Sequence, residues 1–168
     1  MSPIRVRLAE PSDDVAIGEL LVRAFVENYA RKLPQVAISE QRKADLRAVA
    51  QKRAVARVWV AEREGVVIGT VAMWAVGKQG SEAWLPNAVD LRHLAVAASA
   101  QGQGVSTMLI DVAEAWARSQ GAATVCLHVR RGAVGVRGVY ERRGYVADPS
   151  GDRDLLPDVY LEALFLEL

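Results

Sequence analysis

The sequence predicts an α/β domain built on a mixed sheet, and three observations predict it. Strand-like and helix-like segments alternate along all 168 residues. Residues 58–76 read as a β-hairpin, which supplies antiparallel pairing. Residues 89–129 read as strand, helix, strand, which supplies a parallel pair joined by a right-handed crossover. Length and composition agree. A chain of this size buries a real core, and 51% hydrophobic with 24% charged residues is globular rather than disordered. Residues 1–168 are expected to form a single domain, since no repeat, low-complexity tract or linker divides them.

Ile4, Val6 and Leu8 alternate with Arg5 and Arg7 as a half-buried strand. Pro11-Ser12-Asp13-Asp14 reads as a helix start, a capping hydroxyl followed by acids. Ile17, Leu20, Leu21, Ala24, Phe25 and Tyr29 continue at helical spacing, and Pro34 closes the segment. Ser39 opens a second helix with Leu46, Val49 and Ala50 as its apolar stripe. Its Arg42, Lys43, Arg47, Lys52 and Arg53 read first as a solvated face, with recognition of an acidic or nucleic-acid acceptor as the alternative.

Val58–Ala61 and Val66–Val76 are the hairpin strands, with Glu64-Gly65 as the turn and Gly69 interrupting the second strand. Gly77–Pro86 is a loop. Val89–Val96 is a strand, and Val105, Met108, Leu109, Val112 and Trp116 mark one face of a helix ending near Gly121. Ala123–Val129 is a strand, Val134–Arg143 a short helix stopped by Gly144, and Tyr145-Val146 with Val159–Leu166 a last strand pair.

Several function classes recede on composition. A net charge of +1 without a Lys/Arg block gives no reason to expect a nucleic-acid partner. Cys126 is the single cysteine, so neither an internal disulfide nor a cysteine metal cage forms. His93 and His128 lack acids at ligand spacing, and no metal is expected. No apolar run is long enough to span a membrane, and Met1–Arg5 runs straight into the first strand without a signal-like region, so a cytoplasmic location is the expectation.

The segment with chemical content is Asp90 to Thr107. A strand ends at Val96, a turn follows, and Gly102 and Gly104 stand where a helix begins. The first N–H groups of a helix have no intrahelical partner and carry the positive end of its dipole. Glycines let an anion approach that backbone closely, and Ser106 and Thr107 add hydroxyl donors. The same spacing also suits a plain glycine turn. A P-loop is excluded because Val105 and Ser106 stand where its lysine belongs, and a dinucleotide fingerprint lacks its third glycine.

Leu94-Ala95-Val96 followed by Gln101-Gly-Gln-Gly-Val-Ser106 resembles the acetyl-CoA motif of the GNAT acetyltransferases. The hairpin Trp59–Gly69 resembles that family's second and third strands, and Val139-Tyr-Glu-Arg-Arg-Gly-Tyr145 its Tyr-Glu-x-x-Gly-Phe/Tyr signature. The three matches come in family order.

The resemblance implies a mostly antiparallel sheet with helices on both faces, and acetyl-CoA wedged between the splayed parallel strands Val89–Val96 and Ala123–Val129. It implies that the main chain of Leu94, Ala95 and Val96 binds the pantetheine arm. Gln101, Gly102, Gln103, Gly104, Val105 and Ser106, with Thr107 behind, hold the pyrophosphate. Tyr140 protonates the leaving thiolate, and Asp90 stands where many members carry a Glu that takes the amine proton through water. Glu27 and Glu82 are alternatives to Asp90. Neither histidine receives a main role, although a neutral imidazole is a competent base. Trp84 is the tryptophan expected to line the acceptor pocket.

Two departures stand out. Ser106 replaces the usual Gly or Ala, and Ala133 occupies the place of a cofactor-contacting Asn. The implied reaction is direct acetyl transfer to a primary amine of a small molecule. A protein lysine or N-terminus is the alternative acceptor, a non-catalytic acyl-CoA-binding domain the alternative class, and a homodimer a possible assembly.

Overall fold

The computed structural model describes residues 2–32, 38–155 and 159–168. The expected side-chain place of Tyr29 and the closing role of Pro34 lie outside the described residues. The strands are β1 (Arg5–Leu8), β2 (Arg57–Arg63), β3 (Val66–Trp74), β4 (Ala88–Val96), β5 (Thr124–Arg130), β6 (Val146–Ala147), β7 (Arg153–Leu155) and β8 (Val159–Glu167). The helices are α1 (Asp14–Lys32), α2 (Glu40–Arg47), α3 (Val49–Val55), α4 (Val105–Ser119) and α5 (Val134–Arg142). The sheet order is β1-β2-β3-β4-β5-β8-β6, with β7 also paired to β8. Every pairing is antiparallel except β4 with β5.

Strand alternation divides the core between the two faces. Trp59, Ala61, Val71 and Met73 join Val89, Leu91, Val125 and Leu127 beneath Leu109, Ile110 and Ala113 of α4 and Tyr140 of α5. Val58, Val60, Ala72 and Trp74 face the other way, onto Ile17, Leu21, Leu46 and Val49 of α1, α2 and α3. The β2–β3 turn follows the expected chemistry: Glu64 and Gly65 both take positive φ, 52° and 78°, as a two-residue hairpin turn demands. Gly69 has a packing reason. A Cβ there would meet Val105 Cγ1 at 2.8 Å, so glycine lets α4 lie close on β3.

Three expectations need correction. Ser12 is not the helix cap; the N-cap is Glu10, and Asp13 three residues on accepts the Glu10 N–H with its Oδ2 at 2.8 Å. The segment opened by Ser39 is two helices, because Ala48 leaves the helical region at ψ 53°. That break turns both Leu46 and Val49 into the core. Its basic residues are not a uniformly solvated face either. Arg47 and Arg53 pair with Glu19 and Asp14 of α1, and Lys52 is buried. The short β7 has no signal in the sequence, since Arg153-Asp154-Leu155 owes its strand form to pairing with β8.

Candidate active site

The parallel pairing of β4 and β5 runs from Ala88↔Thr124 to Leu91↔Leu127 and goes no further, while β5 stays paired to β8 through Arg130. Residues 92–96 therefore present a main-chain edge on the β5 side. The cause lies in β4 itself. The β3–β4 register shifts between Thr70 and Ala72, and His93 sits in the extra position with φ 59°. Leu91 and Leu94 both face the α4 core, so the bulge turns Arg92 and His93 together toward the opposite face, where both meet Trp74.

Beyond Val96, a turn leads to α4. Gly102 and Gly104 take φ of 76° and 80°, and a Cβ on either would enter open space. Gly104 is the N-cap of α4 and offers no side-chain cap, so the first N–H groups of the helix point outward unclaimed by a cap. Gln101, Gly102, Gly104 and Thr107 are exposed on this turn, with Gln103 and Ser106 half-buried and Val105 anchored in the core. Gln103 does not float. Its Oε1 accepts from Arg63 Nη2 and its Nε2 donates to the Ser99 carbonyl. Arg63, at the end of β2, brings a guanidinium to the turn that Gln101 does not supply, and its Nε is a buried donor without an acceptor among the described residues. A donor-rich glycine turn with an orphaned guanidinium N–H fits a phosphate group. Arg63 escapes sequence reasoning because 40 residues separate it from Gln103.

Asp90 and Tyr140 lie on opposite faces of the sheet. Tyr140 is packed on the α4 side, 4% exposed, edge-on to Tyr145 with ring centroids 5.4 Å apart. Burial pushes its phenol well above the ordinary value, so it holds its proton. Asp90 is fully buried on the other face. Its Oδ2 accepts the Glu82 N–H at 2.8 Å and lies 2.9 Å from Arg92 Nε. Burial raises its carboxyl above the usual range although Arg92 opposes the shift. Oδ1 has no hydrogen-bond partner among the described residues.

His128, on the same face of β5, has a matching feature. Its Nε2 lies 2.8 Å from the Gly151 carbonyl, which can only accept. In the neutral ring Nε2 therefore carries the proton, and Nδ1 is a bare lone pair, buried and without a partner among the described residues. Two acceptors without donors on neighbouring strands suit a ligand rich in N–H bonds. Trp84 lies over His128 at 5.1 Å and donates to Asp148 at 2.8 Å. Gly151 makes room for it, since a Cβ there would come within 2.3 Å of the indole. Glu82 is tied to Arg153 and Arg92, whereas Glu27 stands away in sequence on α1. Ala133 is the N-cap of α5 and gives no side-chain bond. Cys126 is buried, and burial raises its thiol. Among the described residues no group of His, Cys, Asp and Glu is arranged to hold a metal, and no helix is long and apolar enough to cross a membrane.

Known structures share this architecture. An acetyltransferase of the GNAT family from Staphylococcus aureus Mu50 superposes with a TM-score of 0.77 at 13% identity, covering 98% of this chain and 99% of its own. The PaiA N-acetyltransferase of Thermoplasma acidophilum, in complex with coenzyme A, gives 0.71 at 15% identity over 96% and 98%. The Salmonella typhimurium acetyltransferase YncA, with its cofactor acetyl-CoA, gives 0.67 at 19% identity over 99% and 94%. No curated protein sequence matches the chain. The sequence pattern of the acetyltransferase (GNAT) family matches residues 15–145. With that match over most of its length, and with the parted β4–β5 pair beside a glycine turn, the chain belongs to the GNAT acetyltransferase family.

Proposed function

We propose that this protein transfers the acetyl group of acetyl-CoA to the primary amine of a small molecule, by direct attack in a ternary complex. The observation that carries the reading is the parting of β4 from β5 after Leu91↔Leu127, next to the Gly102/Gly104 turn. Bound acetyl-CoA supplies an acyl carbon already activated as a thioester.

In this reading the outward N–H groups of residues 101–107, with Arg63, hold the pyrophosphate. The free edge of Leu94–Val96 holds the pantetheine arm as an added strand, and a main-chain N–H of the same segment faces the acyl oxygen. An alkylammonium with a pKa of about 10.4 must lose a proton before it attacks. His128 Nδ1 accepts an N–H bond of that amine, and Asp90 Oδ1 draws off its proton through water. Tyr140, on the other face, keeps its proton until the departing sulfur needs it.

A small acceptor is favoured by what overlies that face. Glu82 donates its N–H to Asp90, Arg92 donates to the Gly80 carbonyl, and Trp84 is locked between His128 and Gly151. These ties hold the 77–86 loop down over β4 and β5, and a covered face suits a small acceptor better than a folded protein.

The test is a calorimetric titration with acetyl-CoA, followed by turnover across small amines and lysine peptides. Saturable binding with turnover of small amines supports the reading. Peptide-only turnover would replace the acceptor, and binding without any turnover would leave an acyl-CoA-binding domain.

A further inference from the structure

On the acceptor face lies a cation with no anion among the described residues. Lys52 of α3 retains only 9% of its surface. Its Nζ lies 3.0 Å from His93 Nδ1, and the remaining N–H bonds have no acceptor among the described residues. Among the described residues no carboxylate is within ion-pair distance of it. The acid whose charge reaches it, Asp14 of α1, is held by Arg53 through bonds of 2.6 and 2.8 Å.

The other charged groups facing Lys52 are Arg42 of α2 and Arg92 of β4. Arg92 spends its charge on Asp90 and Glu82. Arg42 lies against the Phe25 ring. His93 is neutral, because burial and then the Lys52, Arg42 and Arg92 charges push its pKa well down. A buried ammonium is costly unless an anion joins it. This one sits in a field that repels cations and draws anions.

Its location gives the field a use. His93 is held at φ 59° by the β4 bulge, a conformation uncommon for a non-glycine residue, and it directly precedes Leu94. Its contact with Lys52 thus keeps the ammonium next to the residue that precedes the strand segment proposed to hold the acyl donor. An acceptor ammonium would be repelled there, so the pair is not a proton acceptor for the amine. A negatively charged part of the acceptor would be attracted.

We propose that the acceptor carries a carboxylate that binds Lys52 Nζ, with His93 orienting the ammonium, so that the acceptors are amino carboxylates rather than simple amines. The proposal rests on the acetyl-transfer reading above and assigns its acceptor class.

Matched acceptors test it: β-alanine against ethylamine, 6-aminohexanoate against pentylamine, and phenylalanine against phenethylamine. With the full chain and saturating acetyl-CoA at about pH 7, the carboxylated member of a pair should have about tenfold or greater kcat/KM. Lys52→Met should bring that ratio close to one. In the unmodified protein the ratio should also shrink as pH rises through about 8, where Lys52 loses its charge. That measurement decides the matter if the variant does not fold. Calorimetric titration of the coenzyme A complex with the same pairs reads the preference without turnover. A ratio near one or inverted overturns the proposal, as does a preference that survives Lys52→Met or pH above 8. Failure of acetyl-CoA itself to bind would instead overturn the acetyl-transfer reading.

Discussion

Tyr145 donates its phenolic O–H to Glu114 Oε2 at 3.0 Å, and Arg143 donates to both oxygens of the same carboxylate at 2.8 and 3.2 Å. Tyr145 and Arg143 flank the C-terminal end of α5, and Glu114 is a buried acid on α4. The cluster therefore ties the helix that carries Tyr140 to the helix that begins at the glycine turn. Glu114→Ala would leave a phenol and a guanidinium short of their acceptor, and should cost about 2–4 kcal/mol. Urea denaturation with an unchanged m-value is the measurement, and a loss well under 1 kcal/mol would mean that water replaces the carboxylate at little cost.

Tyr140→Phe removes one oxygen from a ring that is otherwise packed. Acetyl-CoA affinity should stay within about twofold, while kcat falls by about a hundredfold or more. Equal turnover by the variant would assign the proton to another donor. Because burial pushes the phenol pKa up, the wild-type rate should show no loss from Tyr140 ionising anywhere below pH 10.

Gly104 and Arg63 separate backbone from charge in the proposed phosphate cradle. At φ 80°, Gly104→Val is strained even though the space around it is open, by about 1–3 kcal/mol. It should abolish measurable acetyl-CoA binding while the protein remains folded by circular dichroism. Arg63→Gln leaves the turn in place and should weaken acetyl-CoA by about tenfold, with a shallower dependence on salt. Normal affinity in both variants would reduce this turn to a connection.

Asp13 makes acid stability specific. Its hydrogen bonds with Arg7 lower its carboxyl pKa, and the Glu10 N–H adds to this against the opposing effect of burial. A carboxyl lowered on folding contributes stability above its unfolded pKa of about 3.9, and that stability is lost as pH falls through the folded value. Asp13→Asn should therefore be less stable than wild type near neutrality and converge with it in acid. Parallel stability curves down to about pH 2 would show that this carboxylate carries no linkage.

The sequence by itself determined the elements and the cradle. Alternation at Ile4–Leu8, the Glu64-Gly65 turn, the strand–helix–strand run around Gly102 and Gly104, and the stop at Gly144 are local signals, because φ preference, capping and periodicity act within a few residues. Only the tertiary structure decided the rest. It broke the second helix at Ala48, inserted His93 as a bulge, brought Arg63 to Gln103, and left Asp90, His128 and Lys52 short of partners on one face. Those outcomes depend on register between strands and on which charges are desolvated together. Both are set by contacts across 40 or so residues, as with Lys52 and His93, and not by any window of the chain.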